Sequence, residues 1–455
     1  MEKKNNKVSL SMSITLSIGA IIGSGIFVFT GYGIGYAGTA VPLAFLLAAI
    51  FTVFMTLPSI QLGSGIPATG GSYNYTSRFT HPFFGYIQIL NSLIGSLNLA
   101  VMSIAFAAYF GTLFGLTNVT IIAAIALLTL SGIGTFGIRM SGRVQQVIVV
   151  VLIVSLGIYF ISGLDNMSTD FLTFKKVFTP LGGFAGLWSA IAIVRYTLQG
   201  GTISLTFAEE MENPGRDVPL SFFIGTVITA IIYAAIAVIC VGSASYDQIA
   251  WQPLSASAEI IMTEPWLTIF LIGGGMIATL TTLNGSVLIY SRIHWAAARD
   301  GIWPEFFTKR NKHGVPFATL WFCTLVALII ILFQIDLGRI FNLVAVPALL
   351  LGPIYMIPGA LFPFKLPNCH SKAYFKMNKW VTVGVAVISS GISLKLGWSL
   401  FGRMQQSDYI GMLIFFGLGI VYWFIRVWWL KKYKNVDLVA NMKGYHPLWL
   451  EKENA

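Results

Sequence analysis

Apolar residues in this chain arrive in blocks of about twenty, separated by short polar connections. That is the length a helix needs to cross roughly 30 Å of hydrocarbon. Within a bilayer, only a helix or a closed barrel satisfies its own backbone hydrogen bonds. A barrel would show alternating segments of about ten residues, and the sequence has none. Only 10% of the residues are charged, against roughly 25% in a soluble domain. The chain therefore reads as an all-α polytopic membrane protein with twelve transmembrane helices. The expected spans are 12–36, 40–64, 83–110, 119–136, 144–163, 184–207, 220–242, 266–291, 316–334, 339–362, 380–400 and 410–430. Residues 1–11 precede them as a cytoplasmic segment, and 431–455 follow as a tail.

The net charge is +11, which in a membrane protein marks loops rather than a nucleic-acid surface. Threading the spans with the amino terminus inside puts most basic residues on one side, among them Lys7, Arg78, Arg143, Arg299, Lys309 and Lys431. Lys175, Lys176, Arg339 and Arg403 fall outside. The positive-inside bias then places both termini in the cytoplasm and the chain in the cytoplasmic membrane. Cys240, Cys323 and Cys369 are too far apart for a disulfide framework or a metal motif. His81, His294, His313, His370 and His446 show no H-E-x-x-H spacing. His294 reads as an interfacial residue. Neither an enzyme nor a bound cofactor is expected.

Glycine punctuates two spans. In the first, Gly19, Gly23 and Gly25 interrupt an uncharged stretch, where glycine costs helix stability and leaves the backbone free to open. In the sixth, Arg195-Tyr196-Thr197-Leu198-Gln199-Gly200-Gly201-Thr202 occupies the middle of a segment that should cross lipid. Broken backbone at that depth is tolerated only against protein or a cavity. The two interruptions lie five spans apart. Because five is odd, the sixth helix enters from the opposite side, and a repeated five-helix unit would be inverted with both breaks near mid-membrane. Such paired interruptions point to a transporter's binding site. Small residues also serve close helix packing, so either glycine cluster alone is weaker. A channel would need a filter motif or a polar stripe, and neither is present in the sequence.

Four stretches carry a family likeness: IIGSGIF at 21–27, P-x-x-G-G-x-Y-x-Y at 67–75, FAEEMENPGRDVP at 207–219, and SRIHWAAARDGIWPEFFTKRNKHGVP at 291–316. In order and spacing they resemble the amino acid–polyamine–organocation transporters. The resemblance implies a leucine-transporter-type 5+5 inverted repeat plus two helices, with 12–163 and 184–362 as the repeat halves and 380–430 as the added pair. It implies secondary transport of amino acids by alternating access, coupled to protons or by exchange, with acidic amino acids or amines as alternative substrates.

Carried over by position, a substrate carboxylate would meet amides near Gly23, Ser24, Gly25 and Ile26, where a half-helix begins and its dipole favours an anion. The ammonium would meet carbonyls around Ala20, Ile21, Tyr196, Thr197 and Leu198. Gly200 and Gly201 leave room for a medium or bulky neutral side chain, and Tyr196 or Leu198 stands as a gate. Proton-coupled relatives can carry a lysine on helix five; the matching position here is Leu152. A sodium site would draw on Ala20, Gly23, Thr281 and Thr282, whose oxygens suit a hard cation. Such threonines commonly bond backbone instead, so a proton or no ion is favoured over sodium.

Arg195 is the costliest residue in the spans, at a contested price of about 2.5 to 17 kcal/mol at depth. It either faces a cavity, contacting substrate or replacing a cation, or snorkels to the surface. At the cytoplasmic face, Glu209, with Glu210 and Glu212, opposes the basic segment from Arg292 to Lys312 and is expected to hold an inner gate. The outer segment 242–264 is expected to lie as a short amphipathic cap.

Overall fold

The computed structural model describes residues 7–168, 183–334, 337–402, 404–445 and 447–454. Lys175, Lys176, Arg403 and His446 lie outside them. The described chain is helical, with only two isolated bridges. Nine described helices are long and apolar enough to span a membrane, and Val119–Gly134 and Phe317–Leu332 are shorter apolar helices.

The first span is in two pieces. Helix α1 (Leu10–Ile21) starts at Ser9, whose hydroxyl accepts from the Met12 amide, meeting one of the donors that every helix start leaves over. It stops at Ile22, whose ψ of 92° leaves the helical region. Gly23 follows in an extended conformation, and α2 (Ser24–Ala37) resumes. α3 (Val41–Gly65) completes the second span. Beyond it stand α4 (Asn98–Phe114), α5 (Ile138–Leu164) and α6 (Gly183–Tyr196). After α6 the chain turns at Thr197–Leu198, makes a tight 3-10 turn at Gln199–Thr202 and resumes helix at Ile203–Thr206. Next come α7 (Pro214–Ser243) and α8 (Trp266–Asp300), which widens to a π-helical turn at Leu271–Met276.

Several helices outrun the expected spans. α7 begins at Pro214, where Pro is tolerated because a first-turn N–H needs no partner, and α8 continues to Asp300 before a left-handed Gly301 stops it. The expected tenth span is itself divided at Leu351, into Leu337–Leu350 and Gly352–Lys365.

The core sits where α1, α5, α7 and α8 pack together and α2 lies along α6. Lys379–Phe401 closes one flank. Gln406–Lys434 is mostly exposed, with Leu413, Leu418 and Ile425 facing outward, as a lipid-facing helix should be. Lys395 is likewise exposed. The segment 242–264 does form two short helices, yet it lies on α2 rather than merely on the surface. The Trp251 amide donates to the Gly31 carbonyl at 2.8 Å, and its ring packs edge-on against Tyr32 and Tyr36. A Cβ at Gly35 would stand 2.3 Å from that indole.

At the end of the bundle where the termini pack, three segments are stitched together. Val8 pairs with Met211 and Thr69 with Phe207, and the Gly70 amide donates to the Thr206 carbonyl. Near the carboxyl end, the Trp449 indole N–H donates to the Pro67 carbonyl.

Candidate functional site

The two helix breaks meet. A Cβ at Gly200 would lie 2.1 Å from the Ala20 carbonyl oxygen and 2.6 Å from the Ile21 nitrogen, so the sixth-span turn rests directly on first-span backbone. A Cβ at Gly25 would come within 2.7 Å of the Thr197 side chain, and one at Gly23 within 1.6 Å of Thr282 Oγ1. Glycine is needed here for close approach rather than for a left-handed turn. Gly201 is less crowded, with Thr226 Oγ1 at 3.0 Å.

Between the breaks lies an inner cavity of about 190 Å³. Ala20, Ile21, Gly23, Gly25, Thr197 and Gly200 contribute to its wall. The opposite wall comes from residues that sequence reading did not single out: Asn98 and Met102 on α4, and Ser286, Ile289 and Tyr290 on α8. The Asn98 amide donates to Ser286 Oγ at 3.2 Å, fixing α4 to α8 across the cavity. A signal for them existed, since Thr282, Ser286 and Tyr290 recur four residues apart and share one helix face.

The carbonyls ending α1 are partly engaged. Tyr233 on α7 donates its hydroxyl to the Ile21 carbonyl at 2.7 Å. Thr281 Oγ1 lies 2.9 Å from the Ile22 carbonyl and 2.7 Å from that of Ala278. Thr282 Oγ1 is buried without a partner among the described residues and lines the inner cavity, whereas Thr281 does not. On α5, Leu152 is fully buried in the apolar core. A polar contact of α5 with α8 is made two turns earlier. Gln145 donates to the Thr281 carbonyl and accepts from Asn284, while Ser141 donates to Asn284. This neutral network ties α5 to α8 beside Gly19, where a Cβ would strike Gln145.

The two gate candidates separate. Tyr196 faces the inner cavity, its ring edge-on to Phe29 at 6.1 Å and its hydroxyl 3.5 Å from Asn98 Oδ1. Leu198 is fully buried in the main apolar cluster and lines neither that cavity nor its neighbour. The geometric reason is the turn after Tyr196, which sends successive side chains to different sides. Ile26 is also a core residue, so its amide, like that of Ser24, is what α2 can offer. The first amides of a helix have no partner within it, and they point along the positive end of its dipole.

Arg195 does not snorkel. It is 8% exposed and lines a second, side cavity of about 300 Å³ adjoining the first.

At the end where the termini pack, Glu210 rather than Glu209 makes the ion pair, holding the buried Arg292 at 2.5 and 3.0 Å. Glu209 instead accepts from the Thr69 amide at 3.0 Å. A second pair joins Arg78 to Asp300 at 3.0 Å, with the Tyr73 hydroxyl donating to the same carboxylate. Burial, then the nearby Asp300 charge, pushes the Tyr73 phenol well above its usual range. His294 is fully buried, ringed by Trp303 and Phe322. Among the described residues, no cluster of three potential metal ligands exists.

Sequence comparison places this geometry. The family model described as amino acid permease matches residues 8–425. The chain is 26% identical over 438 residues to the branched-chain amino acid permease BcaP of Bacillus subtilis, covering 88% of this chain and 90% of that one. It is 29% identical over 357 residues to the serine/threonine exchanger SteT of the same organism, covering 75% and 77%. A methylthioribose transporter from that bacterium is 26% identical over 430 residues, covering 88% and 90%. With the family match running through nearly all the spans, this chain belongs to the amino acid permeases of the amino acid–polyamine–organocation superfamily, carriers of amino acids and related small molecules rather than enzymes.

Proposed function

We propose that this carrier moves neutral amino acids across the cytoplasmic membrane by alternating access, working by exchange or with protons. The observation that carries the reading is the meeting of the two breaks, Gly200 on Ala20 and Gly25 against Thr197, around a cavity walled largely by backbone. Unpaired amides at the start of α2 receive the substrate carboxylate. Carbonyls at the end of α1 and around Tyr196 and Thr197 receive the ammonium. A leucine-transporter-type arrangement of twelve helices, five repeated inverted as five with two added, is the architecture that brings such breaks together at mid-membrane. Tyr196 acts as the gate over the substrate.

A neutral side chain is favoured because tyrosines are the only titratable residues lining the inner cavity among those described. Exchange is supported by one feature of α5 and one of the α1 break. Leu152 is apolar where related carriers place a lysine, and the Ile22 carbonyl is met by Thr281. Relatives include one named as an exchanger and one as a branched-chain permease. Both termini lie in the cytoplasm on the bias of basic loops.

Proteoliposomes loaded with unlabelled leucine, serine or threonine test this, with labelled substrate outside and sodium or pH gradients imposed separately. Uptake that requires a loaded lumen establishes exchange, and uptake into empty vesicles driven by a pH gradient establishes proton symport. Absence of uptake for every amino acid in both settings refutes the reading.

A further inference from the structure

Arg195 is more than nine-tenths buried, and its Nε has no partner among the described residues. Among the described residues, no carboxylate lies within ion-pairing distance of it. A guanidinium is always charged and carries five donors. A buried charge left unpaired is strongly unfavourable, so such a group normally holds a counter-charge. The side cavity that Arg195 lines is shaped for one. Ser92 presents a hydroxyl without a partner. Tyr355 accepts from Asn91 at 2.6 Å, which leaves its own O–H to donate, and Asn91 Oδ1 stands in the same lining as an acceptor without a partner among the described residues. No Asp, Glu or Lys is among its described lining residues.

We infer that the side cavity is an anion site in which Arg195 is the cationic anchor, with Ser92 and Tyr355 as neutral donors. Its ligand is a small anion, either a carboxylate or a halide. Charge-assisted hydrogen bonds of this kind are the strong ones, and a planar guanidinium matches a carboxylate with two parallel bonds. The cavity, at about 300 Å³, holds more than a single bare ion. Tyr196, Thr202, Ile289 and Tyr290 line both cavities. An amino acid whose head group sits in the inner cavity therefore has its side chain next to this one, and a terminal carboxylate there would meet Arg195. That source rests on the amino-acid transport proposed above but takes an acidic substrate in place of the neutral one; a free halide leaves the neutral reading as it stands.

The test uses the purified full-length chain, with Arg195→Gln and Arg195→Lys beside it. One arm follows thermal unfolding while chloride replaces gluconate at constant ionic strength. The other measures the affinity ratio of L-glutamate to L-glutamine by competition. Chloride stabilisation that is lost in Arg195→Gln and kept in Arg195→Lys assigns the site to a free anion. A glutamate preference that falls about tenfold or more in Arg195→Gln, the loss expected for a charge-assisted bond, assigns it to the substrate's own carboxylate. Wild-type protein that shows neither response overturns the proposal whatever the variants do, as does Arg195→Gln with both responses intact. If neither amino acid binds but chloride stabilises through Arg195, the amino-acid reading fails and the anion site stands.

Discussion

Gly200→Ala puts one methyl group where the two broken helices touch. The added carbon would sit 2.1 Å from the Ala20 carbonyl oxygen, 2.2 Å from its carbon and 2.6 Å from the Ile21 nitrogen. All three are backbone atoms, so no rotamer change relieves the clash. Ordinary contact is about 3.5 Å, so the turn must retreat from α1 by roughly an ångström or more. Overpacking of this kind costs about 1–3 kcal/mol, equivalent to roughly a fivefold to 150-fold loss in affinity if it falls on the substrate-holding geometry. Gly384→Ala is the control, since open space surrounds that residue on an exposed helix face. The assay is substrate-dependent thermal stabilisation together with counterflow in proteoliposomes. Gly200→Ala should insert and fold yet need at least fivefold more substrate for half-maximal response, while Gly384→Ala matches wild type. A Gly200→Ala protein with wild-type affinity and counterflow would refute the claim that the substrate is held where these turns meet.

Three further outcomes follow from particular contacts. Gly23→Ala drives a methyl to within 1.6 Å of Thr282 Oγ1, and because that obstacle is a side chain, Thr282→Ala in the same protein should recover part of the lost counterflow; no recovery would place the damage elsewhere. Glu210→Gln removes the charge that pairs with Arg292, which is 3% exposed, and should lower unfolding stability by about 1–3 kcal/mol. It should also speed proteolysis near Val8, and unchanged cleavage would rule out a sealing role. His370, outside the spans, has its imidazole pushed below its usual pKa by burial first, opposed by its bond to the Met377 carbonyl and aided by Lys376. The unfolded chain then binds the extra proton, so stability present above pH about 6.5 falls on acidification; His370→Gln should flatten that slope in a pH series of melting curves.

The helical membrane class was legible because apolar block length is a direct consequence of bilayer thickness. The interruption at Gly23 was legible because glycine in lipid needs a reason, and the turn after Tyr196 because Gln and paired glycines are costly there. The break at Leu351 was marked as well, by Gly352-Pro353: Pro353 has no N–H for the Leu349 carbonyl four residues back, and Ser393 donates to that carbonyl instead. Leu198 could not be told from Tyr196 by spacing, since the turn between them abolishes the helical period that assigns faces. Glu209 and Glu210 were indistinguishable for a similar reason, as a three-residue 3-10 turn decides which carboxylate meets Arg292. The far wall of the inner cavity was written in α8 at a spacing of four, but polar residues at that spacing also serve ordinary helix packing.

The seat of Trp251 on α2 has a mechanical consequence. Gly35 lies twelve residues beyond the Gly23 break, a lever arm of about 18 Å at 1.5 Å per residue. Tilting that arm by about 10° about its pivot sweeps Gly35 through roughly 3 Å and Gly31, eight residues out, through roughly 2 Å, further than the hydrogen bond from the Trp251 amide to the Gly31 carbonyl can stretch. The segment 242–264 must therefore ride with the half-helix or release it. A displacement small enough to be set by one substrate at the pivot is in this way geared up into the movement of a whole surface segment on the far side of the fold.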